Sequence, residues 1–572
     1  MRNRNGWQAV LVLVLATVLV AVASAAEITP GTRVTGNLTT VGQLDSYTFW
    51  AAGGAATVLM GKIDGTLVPE VRLLDPDGIL LTSVWNYGST TIESSPLTKT
   101  GTYTIIARDH FGTNTGPYGL TLVANPGTYE AIQSGETKTG TIAAGELRVY
   151  TFWGDANDAA TILLGQSSGA LVPQVELHSP SGAVLDSTWN YESTTISSVS
   201  LPESGVYLII CRDHFGTNAG EYGVSLSKNP GSPNSAQDPD CGPLQSGETK
   251  TGTITTADLD AGTFYADAGD AVTVLMGQSS SALVPQLELH SPSGEVLSST
   301  WNYGSTTLFA EALPESGTYF IICRDHFGVN AGEYGVSLIK NPGSTDGGTI
   351  GIGETKVGTI DVGDLDGYTF WAYAGDAATL LMARSSGALV PQVELHSPGG
   401  ELLHSVWNYG SATISSEPLT ESGFHVIICR DHFGTNTGGY GVSLSKNPRT
   451  HFEDDDLAIT YSETWTQYAH PTASAGHLGY SNQTGARAVM LFFGSGIKWQ
   501  AARGPQMGKA RIYLDGSVMG LVDLYRATQQ LTLLQKTGLA PGPHLLIIEV
   551  SGQKNPASGG KVVTLDYLEV VP

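Results

Sequence analysis

Two short signatures recur four times along this chain, and their spacing fixes what it can fold into. Trp-Asn-Tyr begins at Trp85, Trp189, Trp301 and Trp407, and Arg-Asp-His-Phe-Gly at Arg108, Arg212, Arg324 and Arg430. Both series step by 104, 112 and 106 residues, and the two signatures stand 23 residues apart in every copy. A unit this long carries its own core, so each copy is a domain and not a small solenoid repeat. The copies run over 27–128, 129–240, 242–346 and 349–449, and residues 453–572 form a separate module. The extra residues of the longest step lie in 231–240, where Gly, Ser, Pro and Asn mark a linker. The spacing predicts a hinge there and restricted motion at the short junction Asn341-Pro342-Gly343.

Within a copy the pattern is that of strands. Gln174-Val175-Glu176-Leu177-His178 alternates apolar and polar, and Ser179-Pro180-Ser181-Gly182 ends it in a turn. Tyr207-Leu208-Ile209-Ile210-Cys211 is a continuous apolar run, and Tyr222-Gly223-Val224-Ser225-Leu226 alternates again. No stretch has a helical period. The expected fold is all-β: a spaced array of four β-sandwiches and a C-terminal jelly-roll β-sandwich. The 14% charged residues and 71 glycines suit such a turn-rich fold, and 41% hydrophobic residues supply its cores. A net charge of −25 without a basic run excludes nucleic acid as a partner.

The first 25 residues read as a signal peptide: Arg2 and Arg4, an apolar run from Val10 to Val22, then Ala23-Ser24-Ala25 as the cleavage site. The expectation is export, cleavage after Ala25, and a mature chain without a membrane span, secreted or at the cell surface.

In the fourth copy the frame Gly353-Glu354-Thr355, Gly358-Thr359-Ile360, Tyr368-Thr369-Phe370, Ala374-Gly375-Asp376, Ser422-Gly423 and Tyr440-Gly441-Val442-Ser443-Leu444 resembles the bacterial pre-peptidase C-terminal domain. That resemblance covers all four copies and implies a β-sandwich appended to secreted proteins. It does not explain the Trp-Asn-Tyr and Arg-Asp-His-Phe-Gly elements. The tail, through Leu491 to Trp499, Gly508 to Gly516, Val522-Asp523-Leu524-Tyr525 and Val563 to Tyr567, is similar to galactose-binding-like jelly-roll modules of bacterial carbohydrate-binding and surface proteins. This resemblance implies sugar binding through loop aromatics. It also makes Asp566 the first candidate for a structural calcium.

Chemistry is concentrated in the two signatures. Trp85, Tyr87, Arg108 and His110 would form a ligand surface, with Trp189, Tyr191, Arg212 and His214, Trp301, Tyr303, Arg324 and His326, and Trp407, Tyr409, Arg430 and His432 as its copies. Aromatic faces beside planar donors suit sugar rings. The competing structural account has Asp109 capping its turn, Phe111 plugging the sandwich end and Arg108 lying on Trp85. Calcium is the cofactor these loops suggest, through Asp109 with Asn114 and through Asp361, Asp364 and Asp366, with solvated turn carboxylates as the plainer account. His178, His290 and His396 share one outward strand position, held by Leu74 in the first copy, which points to a solvent-facing sheet.

Cys211, Cys323 and Cys429 are equivalent, inward and unpaired. Cys241, in the linker, is the odd thiol, able to bridge another chain; an inward Cys211 argues against its reaching that residue. Gly165-Gln166-Ser167-Ser168-Gly169 has the letters of a nucleophile elbow without the helix that motif needs. In the tail, Trp499 and Tyr525 are the candidates for a binding rim, with Tyr513, Trp465 and Tyr468 further aromatics. The sequence therefore predicts a non-enzymatic binding or cell-surface protein whose tail engages a carbohydrate or cell-surface polymer, the repeats serving as stalk or multivalent surface. A self-associating envelope or matrix protein, an accessory protein of an extracellular hydrolase system and a hydrolase within the tail are the alternatives.

Overall fold

A computed structural model describes residues 25–231, 240–280, 282–343, 345–447 and 449–572. The signal-peptide expectation and most of the linker fall outside the described residues. Every regular element among them is a strand. The fold is the expected tandem β-sandwich array.

The second repeat shows the plan. One sheet has five strands in the order Glu130–Ala131, Leu147–Gly154, Gly205–Asp213, Pro173–His178, Val184–Trp189; the other has four, Glu136–Ile142, Gly220–Asn229, Ala159–Gly169, Ser193–Ser200. Only the two-residue edge strand pairs parallel in each of the first three repeats. Between the sheets lie Ile162, Leu164, Val175, Leu177, Tyr207, Ile209 and Tyr222. Cys211 belongs to that core, as Cys323 and Cys429 do to theirs. The fourth repeat keeps the order, with its parallel edge reduced to a bridge between Thr349 and Thr369.

The outer faces of these sheets are not all solvated, and the repeats are not spaced. Leu59 and Val123, on the outer face of the first repeat's four-stranded sheet, pack on Leu147, Val149, Leu208 and Ile210 of the second repeat's five-stranded sheet. Leu163 packs likewise on Ala257, Leu259 and Ile322, and Leu275 with Ile339 on Leu365, Val426 and Ile428. The described residues from Arg33 to Asn447 therefore form a continuous stack of sheets, in which each of the first three repeats presents its four-stranded sheet to the next repeat. The second and third repeats are in contact, while most of the expected hinge at 231–240 lies outside the described residues.

Backbone approaches backbone at each junction. A Cβ on Gly61, Gly165 or Gly277 would overlap the carbonyl oxygen of Gly216, Gly328 or Gly434 in the next repeat. Matching hydrogen bonds recur beside these contacts. Ser89, Ser193 and Ser305 donate to the carbonyls of Phe215, Phe327 and Phe433 at 2.6, 2.5 and 2.5 Å. Asn125, Asn229 and Asn341 donate to the carbonyls of Ser179, Ser291 and Ser397 at 2.8, 2.9 and 2.8 Å.

The two ends of the stack differ from its middle. The fourth repeat carries Ala383 where the others carry Gly61, Gly165 and Gly277, and its Leu381, equivalent to the buried Leu59, is 40% exposed. The first repeat carries Ser46, Arg72 and Thr104 where the second has Val149, Glu176 and Leu208. Each terminal repeat has lost the features that would receive another repeat. His178, His290 and His396 belong to this logic. They are each 2% exposed because the preceding repeat covers their sheet, which corrects the expectation of a solvent-facing position; Leu74 differs in standing on a sheet that no other described repeat covers.

The tail packs a seven-stranded sheet, built on the long strands Arg487–Arg503 and Gln530–Lys554, against a three-stranded one. Arg449 joins it to the fourth repeat. Its backbone N–H donates to Asp376 at 2.7 Å, its guanidinium pairs with Asp456 and it lies 4.6 Å over the Phe452 ring.

Gly165→Val should break the second junction, at a cost of about 1–3 kcal/mol for forcing atoms into a closed contact. The same change at the terminal position, Ala383→Val, should shift stability by no more than about 0.5 kcal/mol. Denaturant unfolding of the two full-length variants distinguishes these outcomes; equal losses would refute the close-approach role.

Candidate functional site

Each repeat builds the same exposed aromatic platform from two strand ends. Trp189 ends the edge strand Val184–Trp189, and His214 follows Gly205–Asp213 in the same sheet. The His ring lies flat on the indole, 3.7 Å between centroids and 10° between planes. The equivalent stacks of Trp85 on His110, Trp301 on His326 and Trp407 on His432 all have 3.8 Å separations. Tyr191 and Phe215 meet the indole edge-on or nearly so, as Tyr87 and Phe111 do in the first repeat. The tryptophans are 42–44% exposed and the tyrosines 64–68%.

The turn under each platform is fixed by the signature aspartate. Asp109 accepts from the N–H groups of Val68, Thr113 and Asn114 at 3.0, 2.9 and 3.0 Å, and from the Asn114 amide at 3.2 Å. Burial pushes its carboxyl up, but these donors outweigh that and leave it below the usual carboxylate range. The capping expectation is correct. At the residues expected to hold calcium, the Asp109 carboxylate is occupied by N–H donors and Asn114 presents its amide nitrogen to it.

The signature arginines are not part of the platform. Arg212, Arg324 and Arg430 are at most 9% exposed and turn into the junction with the preceding repeat. Their Nε atoms donate to Glu176, Glu288 and Glu394 at 2.9, 2.8 and 2.8 Å. Arg108, in the uncovered first repeat, lies toward Glu70 at 3.5 Å. The expected stacking of Arg108 on Trp85 is replaced by that of His110, and Phe111 is 53% exposed instead of plugging the sandwich.

Sequence reasoning missed the residue that orients the histidine. His214 Nδ1 meets Gln174 Oε1 at 2.9 Å, while Gln174 Nε2 donates to Glu176 Oε1 at 3.2 Å. The carboxylate orients the amide, and the amide oxygen can accept only from a protonated Nδ1, which leaves Nε2 as an acceptor. Gln286 with His326 and Gln392 with His432 repeat this at 2.9 and 2.8 Å. In the first repeat Glu70 replaces the glutamine and meets His110 Nδ1 directly at 3.0 Å. Burial, and then the adjacent arginine charge, holds His214, His326 and His432 below the usual histidine range. The signal was in the sequence, as Gln174, Gln286 and Gln392 stand two residues before the junction glutamates.

Successive platforms adjoin. Ser89, just past Tyr87, donates to the Phe215 carbonyl, and Gly88 lies against Thr217. At the second junction an open cleft of about 500 Å³ is lined by Glu192 of one repeat and by Tyr303, Phe327 and Asn330 of the next. The aromatic groups thus form a ladder along one side of the stack.

The tail candidates fare differently. Trp499 is 5% exposed, its Nε1 donates to the Thr564 carbonyl at 3.2 Å, and it floors an apolar groove of about 260 Å³ with Ile497, Ile512 and Leu514. It is a core residue and not a rim. Tyr525 is half-buried beside Asp523. Asp566 is 1% exposed and accepts from the Ser474 N–H at 3.0 Å; burial pushes its carboxyl up. The acidic grouping with ligand-like geometry among the described residues is instead Asp454, Asp455 and His477. The segment Gly165–Gly169 ends a strand, without the turn and helix of a nucleophile elbow.

No protein-family profile matches the chain. Two curated proteins of Flavonifractor plautii are similar over short stretches. An A type blood N-acetyl-alpha-D-galactosamine deacetylase is 29% identical over 168 residues, 28% of this chain and 20% of that protein. An A type blood alpha-D-galactosamine galactosaminidase is 34% identical over 80 residues, 14% of this chain and 7% of that protein. The chain thus spans a fifth or less of these relatives. Among solved structures, a Paenibacillus xanthan lyase is similar at a TM-score of 0.21 and 12% identity, covering 76% of this chain and 53% of that one. The M60 catalytic domain with two CBM51 domains from Clostridium perfringens ZmpB scores 0.16 at 9% identity, covering 92% and 54%. Among the described residues no helix is long and apolar enough to cross a membrane.

The junction carboxylates should make the stack acid-labile. Burial raises the pKa values of Glu176, Glu288 and Glu394, but the adjacent histidine and arginine outweigh it and hold all three below the usual range. Their stabilisation is complete above the unfolded value of about 4.3 and is lost as pH falls through the lower folded value. His214, His326 and His432, held below the usual histidine range, act in the same direction, since the unfolded chain takes up their protons first as pH drops through about 6.5. The unfolding midpoint should therefore decline from pH 7 downward and steepen below about pH 4, with a shallower acid limb in Glu288→Gln. A midpoint independent of pH would contradict this reading.

Proposed function

We propose that this is an exported, non-enzymatic carbohydrate-binding protein whose repeats hold an extended polysaccharide along the aromatic ladder, with the tail as a second sugar-binding module. The supporting observation is the fourfold recurrence of an exposed Trp–His stack, edged by Tyr and Phe and fixed from below by a buried Gln–Glu–Arg relay in three repeats and by Glu70 in the first. A pyranose ring offers a face of C–H groups to the exposed aromatic rings, while its hydroxyls meet the tyrosine O–H and histidine Nε2. The net charge of −25 favours a neutral or cationic polymer over an anionic one.

The resemblance of the repeats to pre-peptidase C-terminal domains and of the tail to galactose-binding-like modules supports an extracellular setting. Two relatives named for galactosamine-bearing sugars point to the same ligand class. Because the repeats are stacked directly, contacts at several platforms reinforce one another, raising avidity by about 10²–10⁴-fold over a single site.

The test is affinity electrophoresis of the full chain in neutral polysaccharides. Each Trp→Ala change at Trp85, Trp189, Trp301 or Trp407 should weaken binding about fivefold, on the order of 1 kcal/mol per aromatic contact. The fourfold variant should leave only what the tail binds. Wild-type affinity in the fourfold variant would remove the ladder from the function. Failure of both proteins to bind any glycan, with concentration-dependent sedimentation, would favour the self-associating structural alternative.

A further inference from the structure

The third repeat departs from the other three at one core position, and a cysteine from outside the repeat fills the gap. In the first, second and fourth repeats the strand entering the five-stranded sheet carries Tyr47, Tyr150 and Tyr368. Their hydroxyls meet those of Tyr118, Tyr222 and Tyr440 at 2.8, 2.7 and 2.7 Å. The third repeat has Gly262 there. A Cβ on Gly262 would stand 2.8 Å from the Sγ of Cys241 and 2.7 Å from Leu244. The missing tyrosine ring is thus replaced by side chains arriving from the end of the linker.

Cys241 is turned inward by its backbone. Its φ is +62° and that of Gly242 is +77°, and an L residue in the left-handed region is held there against its own preference. The segment is then pinned by parallel pairing of Gly242 with Gly262 and of Pro243 with Thr263. Cys241 is 7% exposed and belongs to the same core cluster as Cys323, which is fully buried. The neighbouring Cys241 thiol, and then burial, push the Cys323 thiol above its usual range, and both are free thiols in this structure. Cys211 and Cys429, at the position of Cys323 in their own repeats, lie in cores that contain no second cysteine.

We propose that Cys241 and Cys323 are a disulfide-forming pair that locks the end of the linker into the core of the third repeat. Cys241 is the thiol nearer the surface, so it meets the oxidant first. Its thiolate attacks a disulfide-bearing oxidant, such as oxidised glutathione, and releases one reduced thiol. The Cys323 thiolate then displaces the second, forming the Cys241–Cys323 bond. Two protons and two electrons leave the protein, and one oxidant disulfide becomes two thiols. The bond closes a loop from Cys241 to Cys323, most of the third repeat but not its last strand Gly332–Asn341, which restricts its unfolded chain. It also fastens the longest connection between repeats at its downstream end.

The experiment uses the full chain, treated with oxidised glutathione and then alkylated in denaturant. Intact mass should show two labelled thiols, and proteolysis should yield a peptide pair joined through Cys241 and Cys323, with Cys211 and Cys429 labelled. Reduction should lower the thermal unfolding midpoint by about 5 °C or more and should not do so in Cys241→Ala. Four labelled thiols, or Cys241 joined to glutathione or to a second chain while Cys323 is labelled, would overturn the pairing. An unchanged midpoint on reduction of a bond that mass spectrometry has confirmed would overturn the locking role.

Discussion

The stack depends on one contact, made three times: the backbone of a four-stranded sheet pressed against the backbone of the next repeat's turn. Gly61, Gly165 and Gly277 permit it because any Cβ would strike a carbonyl oxygen. This proximity brings Leu59, Leu163 and Leu275 onto the following sheet and takes that sheet's outer face out of water. Once the face is dry, an ionised group on it must be paired. Glu176, Glu288 and Glu394 therefore hold both an arginine and a histidine. The buried charges follow from the glycines, not the reverse.

The same chain of causes reaches the surface. Each junction carboxylate orients a glutamine, the glutamine fixes the histidine tautomer, and the histidine supports the exposed tryptophan. The platform is rigid because its last support lies in the interface between two repeats. In the first repeat, whose five-stranded sheet no other described repeat covers, Glu70 takes the glutamine's place and binds Arg72 and His110 itself. The geometry of the aromatic stack is retained although the support has been rebuilt.

Much of this was legible in the residues, and the misreadings share a physical origin. The strands, the turn-capping Asp109 and the inward Cys211 follow from period and phase within a single repeat. The run Tyr207-Leu208-Ile209-Ile210-Cys211 carried more than was taken from it: apolar residues on both phases mean a strand buried on both faces. The first repeat has Thr104 in that run, as an uncovered sheet should. Read in this way, Leu74 opposite His178 marks the end of a stack and not a solvent-facing sheet. Trp499 was misplaced because a Gly-rich turn suggested a rim; Ile497, Trp499 and Ala501 share the inward phase of one 17-residue strand.

The two outer faces of the stack differ from the faces that meet inside it. A repeat whose two faces fit each other would accept further copies without limit. Here the fit is removed at both termini, by Ala383 on the last face and by Ser46, Arg72 and Thr104 on the first. The last repeat instead meets the tail through Arg449, which reaches Asp376 on one side and Asp456 on the other. An array closed in this way has a fixed number of aromatic platforms in a fixed order.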